Sequence, residues 1–199
     1  MKPKELRDLL ISAFALAAAF GIAISGGYAA FSSPWNLAIT CLIALIGVSS
    51  GFILHEMGHR FMARRYGCVA EYRMWPAGLV IALASSLFGY VFAAPGAGVI
   101  SSGTDSQGRA ILTKERAGLI SMAGPVMTIC LAGVFILLNM ARPTLLFWLG
   151  AYINSWLAVF NLIPFGPLDG AAIFKWNKMV WVVVMAIAAM LFVLELFIS

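Results

Sequence analysis

The sequence is poor in charged side chains. Only 11% of its 199 residues are charged, whereas 62% are hydrophobic, and the mean hydropathy is +0.97. Soluble globular domains are about 25% charged and about 45–50% apolar. A water-soluble fold of this chain would leave too much apolar surface in water, so the composition predicts an integral membrane protein.

The charges that are present do not form a patch. The 13 Lys and Arg residues exceed the 8 Asp and Glu residues, which gives a net charge of +5, but they are scattered between apolar runs. Basic residues that flank membrane spans produce this pattern. We therefore expect contact with the lipid bilayer and no nucleic-acid partner.

Cysteine and histidine are also scarce. The three cysteines, Cys41, Cys68 and Cys130, are far apart and form no CxxC pair. They support neither a disulfide framework nor a thiolate zinc site. The chain has two histidines, and both lie between residues 55 and 59.

Long apolar runs divide the chain into membrane spans. Because a span needs about 20 apolar residues, we predict an all-α integral membrane fold, a bundle of about five to six transmembrane helices with a re-entrant or hairpin segment. Residues 1–199 are expected to form a single membrane-embedded domain. The predicted spans cover about 9–28, 35–66, 117–140, 145–163 and 179–197, and the re-entrant segment covers about 77–94.

The segment 77–94 decides the topology. If it does not cross the membrane, 12 of the 13 Lys and Arg residues lie on one side and only Arg142 lies opposite. If it crosses, the division becomes 8 to 5. The positive-inside rule favours the first arrangement, although an ordinary sixth span is the alternative. We expect a multi-pass protein of the cell membrane with a cytoplasmic N-terminus.

The motif HExxH occupies residues 55–59, near the end of a predicted span. Residues four apart lie on one face of a helix, so His55 and His59 can bind one metal ion. Glu56 can then act as general base on a metal-bound water. Ionisable residues within a span are costly and usually functional. The competing interpretation is a histidine pair that satisfies itself or lines an ion path.

A catalytic zinc requires a third protein ligand and leaves one position open. With no further histidine and no suitable cysteine, a carboxylate must supply it. Asp169 is the best candidate among the eight acidic residues, because it follows a span broken by proline and glycine. In the favoured topology it lies on the same side as His55 and His59. We predict one Zn²⁺ per chain, near the cytoplasmic side.

Three motifs resemble those of the site-2 protease family of intramembrane zinc metalloproteases. HExxH is followed by Ala123-Gly124-Pro125 and then by NLIPFGPLDG at residues 161–170, which matches the pattern NxxPxxxLDG. The motifs occur in the expected order over about residues 35–175.

The resemblance implies cleavage of single-span membrane proteins within the membrane. It implies His55, His59 and Asp169 as zinc ligands and Glu56 as the base. It further implies that Asn161 helps to stabilise the oxyanion, while a hydrogen bond at a helix terminus is an equal alternative for this side chain.

The chain also departs from the family pattern. Thr128 replaces an asparagine that often follows the AGP motif, and no PDZ or nucleotide-sensing domain is visible, so no nucleotide partner is expected. The segment 77–94 occupies the place of a family element that is thought to engage substrate, where a peptide strand can add to a sheet edge.

Three functions remain open from the sequence. The leading interpretation is a zinc-dependent intramembrane endopeptidase. A membrane zincin that cuts soluble loops or peptides is the second. A metal or proton transporter is less favoured, because transporters commonly contain paired repeats and no repeat is visible.

Overall fold

The computed structural model describes residues 2–92, 94–103, 111–195 and 197. Residues 93 and 196, which belong to the predicted re-entrant segment and last span, lie outside the described residues. The described part is mostly helical. Its elements, in chain order, are α1 (Pro3–Ile24), a 3₁₀ turn (Gly27–Ser32), α2 (Pro34–Arg65), β1 (Cys68–Met74), α3 (Pro76–Ser86), β2 (Gly96–Ser102), α4 (Lys114–Ala141), α5 (Leu145–Asn161), α6 (Asp169–Trp176) and α7 (Lys178–Glu195).

Four of the described helices, α1, α2, α4 and α7, are long and apolar enough to cross a membrane. They indicate a membrane protein, as the composition predicts. Helix α5 matches the predicted span 145–163 but has only 17 residues. It is about 26 Å long, somewhat less than the about 30 Å of a hydrocarbon core. It packs against α2, α4 and α7, and the total number of spans stays a prediction.

Local sequence signals set the ends of α2. Pro34 occupies the first turn, where its missing N–H costs nothing. At the other end Gly67 adopts a φ of 69°, a left-handed conformation that glycine accepts without strain. The chain therefore turns sharply after α2 and enters β1 at Cys68.

A two-stranded antiparallel sheet follows α2, with a register that runs from Cys68 opposite Ser102 to Met74 opposite Gly96. The all-α prediction did not include this sheet. Its strands are seven residues long, and β2 begins with Gly-Ala-Gly, a composition with low strand propensity. Only pairing with β1 makes this segment extended.

The chain between the strands leaves the sheet and returns to it. The Trp75 N–H donates to the Pro95 carbonyl oxygen over 2.8 Å, which extends the ladder by one pair. Between these residues α3 runs along α1. Beyond its end, the Leu87 carbonyl accepts the Tyr28 N–H over 2.8 Å. The described residues between Trp75 and Pro95 therefore leave the sheet and reach the connection that follows α1, and the position of this segment in a bilayer stays a prediction.

The start of α1 is tied to α2 and β1 by a buried carboxylate. Glu5 accepts hydrogen bonds from the Arg60 guanidinium and, over 2.9 Å, from the Tyr72 N–H. The Tyr72 hydroxyl donates to Ser12 Oγ over 2.8 Å. These contacts place the N-terminus at the same end of the bundle as the end of α2.

Replacing Glu5 by alanine should destabilise the fold. The substitution leaves the largely buried Arg60 guanidinium and the Tyr72 N–H without their carboxylate, and breaking a buried ion pair costs about 3 kcal/mol. Thermal unfolding of the detergent-solubilised protein, followed by tryptophan fluorescence, should show a clearly lower midpoint.

Glu71→Ala is the matched control, because Glu71 forms its ion pair with Lys2 at the surface and exposed pairs contribute little. The same hydrogen bond from Lys2 lowers the pKa of Glu71. Equal unfolding midpoints for the two variants would contradict the anchoring role of Glu5.

Candidate metal centre

Helices α2 and α6 bring together the three side chains that the sequence predicts as ligands. The Nε2 atoms of His55 and His59 lie 2.9 Å apart. Asp169 Oδ2 lies 3.1 Å from His55 Nε2 and 3.3 Å from His59 Nε2. Both histidines are buried, and the Asp169 side chain is 15% exposed. Two imidazoles and one carboxylate thus converge on one point.

The spacing of these atoms suits a small divalent ion. A tetrahedral zinc site with bonds of about 2.0–2.1 Å to nitrogen and oxygen holds its ligand atoms about 3.3 Å apart. The three observed separations, 2.9, 3.1 and 3.3 Å, are close to this value. Two His and one carboxylate, with the fourth position open, is a ligand set of catalytic zinc sites.

Helix α4 orients one of the two imidazoles. His59 Nδ1 lies 2.8 Å from the Ile120 carbonyl oxygen. The carbonyl can only accept, so Nδ1 carries the proton and the Nε2 lone pair points to the other ligands. His55 Nδ1 is buried and has no hydrogen-bond partner within the described part of the chain. The two histidines are therefore held differently.

A proline- and glycine-rich turn returns the chain to the histidines. Gly166 has a φ of 63°, and α6 begins at Asp169. A Cβ atom on Gly170 would come closer than 3.0 Å to the carbonyl oxygens of Leu162 and Ile163. Glycine at position 170 thus lets the start of α6 pack on the end of α5, and this packing sets the position of the neighbouring Asp169.

The charge state of Asp169 suits a metal ligand. Burial alone would raise the pKa of its carboxyl group. Positive charge at the His59 and His55 imidazoles, together with their hydrogen bonds, outweighs that effect and holds the pKa of Asp169 well below its usual range. A cation bound between the three side chains would supply the same positive charge while both Nε2 atoms act as ligands. The side chain therefore offers an anionic oxygen at neutral pH.

Glu56 lies next to the three ligands. It lines the same cavity as His55, His59 and Asp169 and is buried within α2. Its Oε2 atom has no hydrogen-bond partner among the described residues. A buried, unpaired carboxylate oxygen is costly, and a water molecule in this cavity would satisfy it. The arrangement is suited to proton transfer.

Asn161 and Thr128 lie on the wall of the same cavity. The Asn161 Nδ2 donates to the Leu157 carbonyl over 2.8 Å, the helix-terminus bond that the sequence left open. The amide carries a second N–H hydrogen, so this bond does not exhaust its donors. The Thr128 hydroxyl donates to the Pro125 carbonyl over 2.9 Å.

The AGP motif has a steric role that its sequence alone does not reveal. A Cβ atom on Gly124 would come closer than 3.0 Å to the Nε2 atoms of both His55 and His59. Likewise, a Cβ on Gly58 would come closer than 3.0 Å to the Ala123 carbonyl oxygen. Glycine at both positions lets α2 and α4 approach closely, and Gly124 leaves the space that the ligand atoms occupy.

Substituting Gly124 by alanine should therefore disrupt metal binding. The added methyl group displaces both imidazole rings, and we expect the purified variant to hold much less than one metal ion per chain by inductively coupled plasma mass spectrometry. Gly133→Ala on the same helix is the control, since a Cβ there meets no atom within 4 Å. A full metal content in both variants would refute this steric role.

The comparisons with known proteins identify one relative. The chain is 40% identical over 187 residues to a protein of Methanocaldococcus jannaschii named "Putative zinc metalloprotease MJ0611". The alignment covers 91% of this chain and 88% of the relative. No family model matches the chain, and no solved structure matches it. With this identity and coverage, the chain belongs to the zinc metalloprotease family that includes the Methanocaldococcus jannaschii protein.

Proposed function

We propose that the chain is a zinc-dependent intramembrane endopeptidase, a small member of the site-2 protease type that cuts single-span membrane proteins. The observation that carries this proposal is the position of His55, Glu56 and His59 on α2, a helix long and apolar enough to cross a membrane. Asp169 completes the ligand set from a neighbouring helix. Hydrolysis at this site would take place at membrane depth, near the cytoplasmic face of the cell membrane.

Each of these residues has a separate role in peptide hydrolysis. Zinc held by His55, His59 and Asp169 would polarise the scissile carbonyl and acidify a bound water. Glu56 takes a proton from the attacking water and delivers it to the amide nitrogen as the C–N bond breaks. Asn161 uses its second N–H to donate to the developing oxyanion.

The exposed edge of β2 supplies a place for an extended substrate. Hydrogen-bonded and non-hydrogen-bonded pairs alternate along an antiparallel ladder. The bond between Trp75 and Pro95 determines which pairs of β1 and β2 are hydrogen-bonded. The backbone groups of Gly96 and Gly98 therefore point away from β1, and both residues line the metal cavity. On the opposite edge of the sheet, the Tyr72 N–H already donates a hydrogen bond to Glu5. We infer that a substrate strand adds to β2 by β-augmentation.

A groove between α1 and α2 supports access from the lipid. It is lined mainly by apolar side chains, among them Leu6, Leu10 and Ile53, and its inner wall includes Glu56. Leu6, Leu10 and Ile53 are exposed on the surface of the bundle. A substrate segment that diffuses in the bilayer can approach the general base along this groove. This route favours membrane-spanning substrates over soluble peptides.

The variant Glu56→Gln should retain its metal and lose cleavage. The amide keeps the size of the side chain but cannot accept the proton, and general-base catalysis contributes about 10²–10⁴-fold. We expect about one zinc per chain by mass spectrometry. Cleavage of a single-span substrate in proteoliposomes should fall by at least about a hundredfold.

Glu71→Gln, the same change at an exposed site outside the metal cavity, should cleave at the wild-type rate. Retained cleavage by Glu56→Gln would remove Glu56 from its assigned role. A wild-type protein that cuts soluble peptides but no membrane-embedded ones would favour the alternative of a zincin that acts on loops.

Asn161→Ala distinguishes the two interpretations of this side chain. Loss of an oxyanion donor lowers kcat by about 10²–10³ while the zinc content stays near that of the wild type. A purely structural bond to Leu157 predicts the opposite result, a lower midpoint with kcat preserved. Kinetics and thermal unfolding of the same preparation decide between the two.

A further inference from the structure

A second cavity borders the metal cavity. Gly98, Pro167 and Asp169 line both, so the two cavities are direct neighbours. The second cavity is bounded by β2, the start of α4 and the helix α6. A lysine from each of these helices, Lys114 and Lys175, lies on its wall.

The edge of β2 connects the two cavities. Gly96 and Gly98 line the first, while Gly98 and Ile100 line the second. These alternate residues are the ones whose backbone groups face away from β1. With a rise of about 3.4 Å per residue, a strand paired with β2 advances about 7 Å between Gly98 and Ile100. A peptide held on this edge therefore passes from the metal centre towards the lysines.

We call the second cavity the exit, because a peptide on β2 would leave the metal centre through it. The charge at this exit is positive. Among the described residues that line the second cavity, Lys114, Lys175 and Asp169 are charged, and Asp169 already serves the metal centre. Glu115 lies next to Lys114 in sequence but does not line the cavity. The N-terminus of α4 adds a partial positive charge, because the helix begins at Lys114.

We propose that Lys114 and Lys175 form a specificity site for acidic side chains of the substrate. The site binds Asp or Glu residues a few positions beyond the scissile bond, on the side where the peptide leaves the metal centre towards α6. The inference rests on the proposed endopeptidase function and deepens it. Most membrane proteins carry Lys and Arg at their cytoplasmic flanks, so two lysines at this exit would discriminate against ordinary spans.

Three synthetic single-span peptides test the proposal on the full-length protein in zwitterionic vesicles. They are identical except that three residues at the flank near the exit are all Glu, all Gln or all Lys. We expect kcat/KM to decrease from Glu to Gln to Lys by about three- to tenfold at each step. The difference should lie mainly in KM, because the contact acts on binding, and should shrink with added salt.

The double variant Lys114→Glu/Lys175→Glu should reverse the order of the three peptides. Both lysines are exposed, so the fold should tolerate the change. Lys4→Glu, an equivalent reversal at an exposed lysine outside the cavity, should keep the wild-type order. An unchanged order in the double variant would overturn the proposal. So would flank-independent cleavage that responds instead to anionic lipid through the same two lysines.

Binding measurements separate this proposal from the proposed function. Fluorescence anisotropy of the labelled peptides should give the same order of affinities, reversed in the double variant, whether or not cleavage occurs. The same order of affinities without cleavage by the wild type would support the specificity site and contradict the proposed endopeptidase function. Equal affinities for the three peptides would refute the specificity site, even with cleavage intact.

Discussion

His55, His59 and Asp169 must come together at one point, and the packing of the surrounding helices allows this. Burying three ionisable side chains in an apolar bundle costs free energy unless a charge of opposite sign compensates them. A cation between two imidazoles and a carboxylate provides that charge, and the surrounding glycines provide the room. Gly124 frees the space for the rings, and Gly170 lets α6 pack on the end of α5.

The metal centre and the sheet share one end of the bundle. Glu5 binds α1 to both Arg60 on α2 and the backbone of β1, so one buried carboxylate links the helix of the ligands to the strand pair. The metal cavity lies between these elements and α4, which contributes Thr128 to its wall. The metal cavity, the free edge of β2 and the apolar groove between α1 and α2 therefore lie within a small part of the molecule, although they come from distant parts of the chain.

The sequence predicted most helix positions and the three side chains that the structure brings together as a group that could hold a metal, because these follow from strong and simple signals. Two histidines at helical spacing and one acid at a broken helix end leave few choices, and long apolar runs mark the helices. The sheet was missed because Gly96-Ala97-Gly98 has low strand propensity, although the segment pairs with β1 in the structure. The role of Gly124 was also missed, since contact between α2 and α4 cannot be inferred from local periodicity.

Pro95 has a consequence for the alignment of the two strands. It accepts the Trp75 N–H but has no N–H to return, so it fits at the mouth of the ladder and poorly inside it. If β2 slipped by one residue along β1, the backbone groups that face β1 and those that face away from it would be exchanged. Ala97 and Val99 would then face away from β1 in place of Gly96 and Gly98. The register that begins at the bond between Trp75 and Pro95 therefore keeps the backbone groups of Gly96 and Gly98 turned towards the metal cavity.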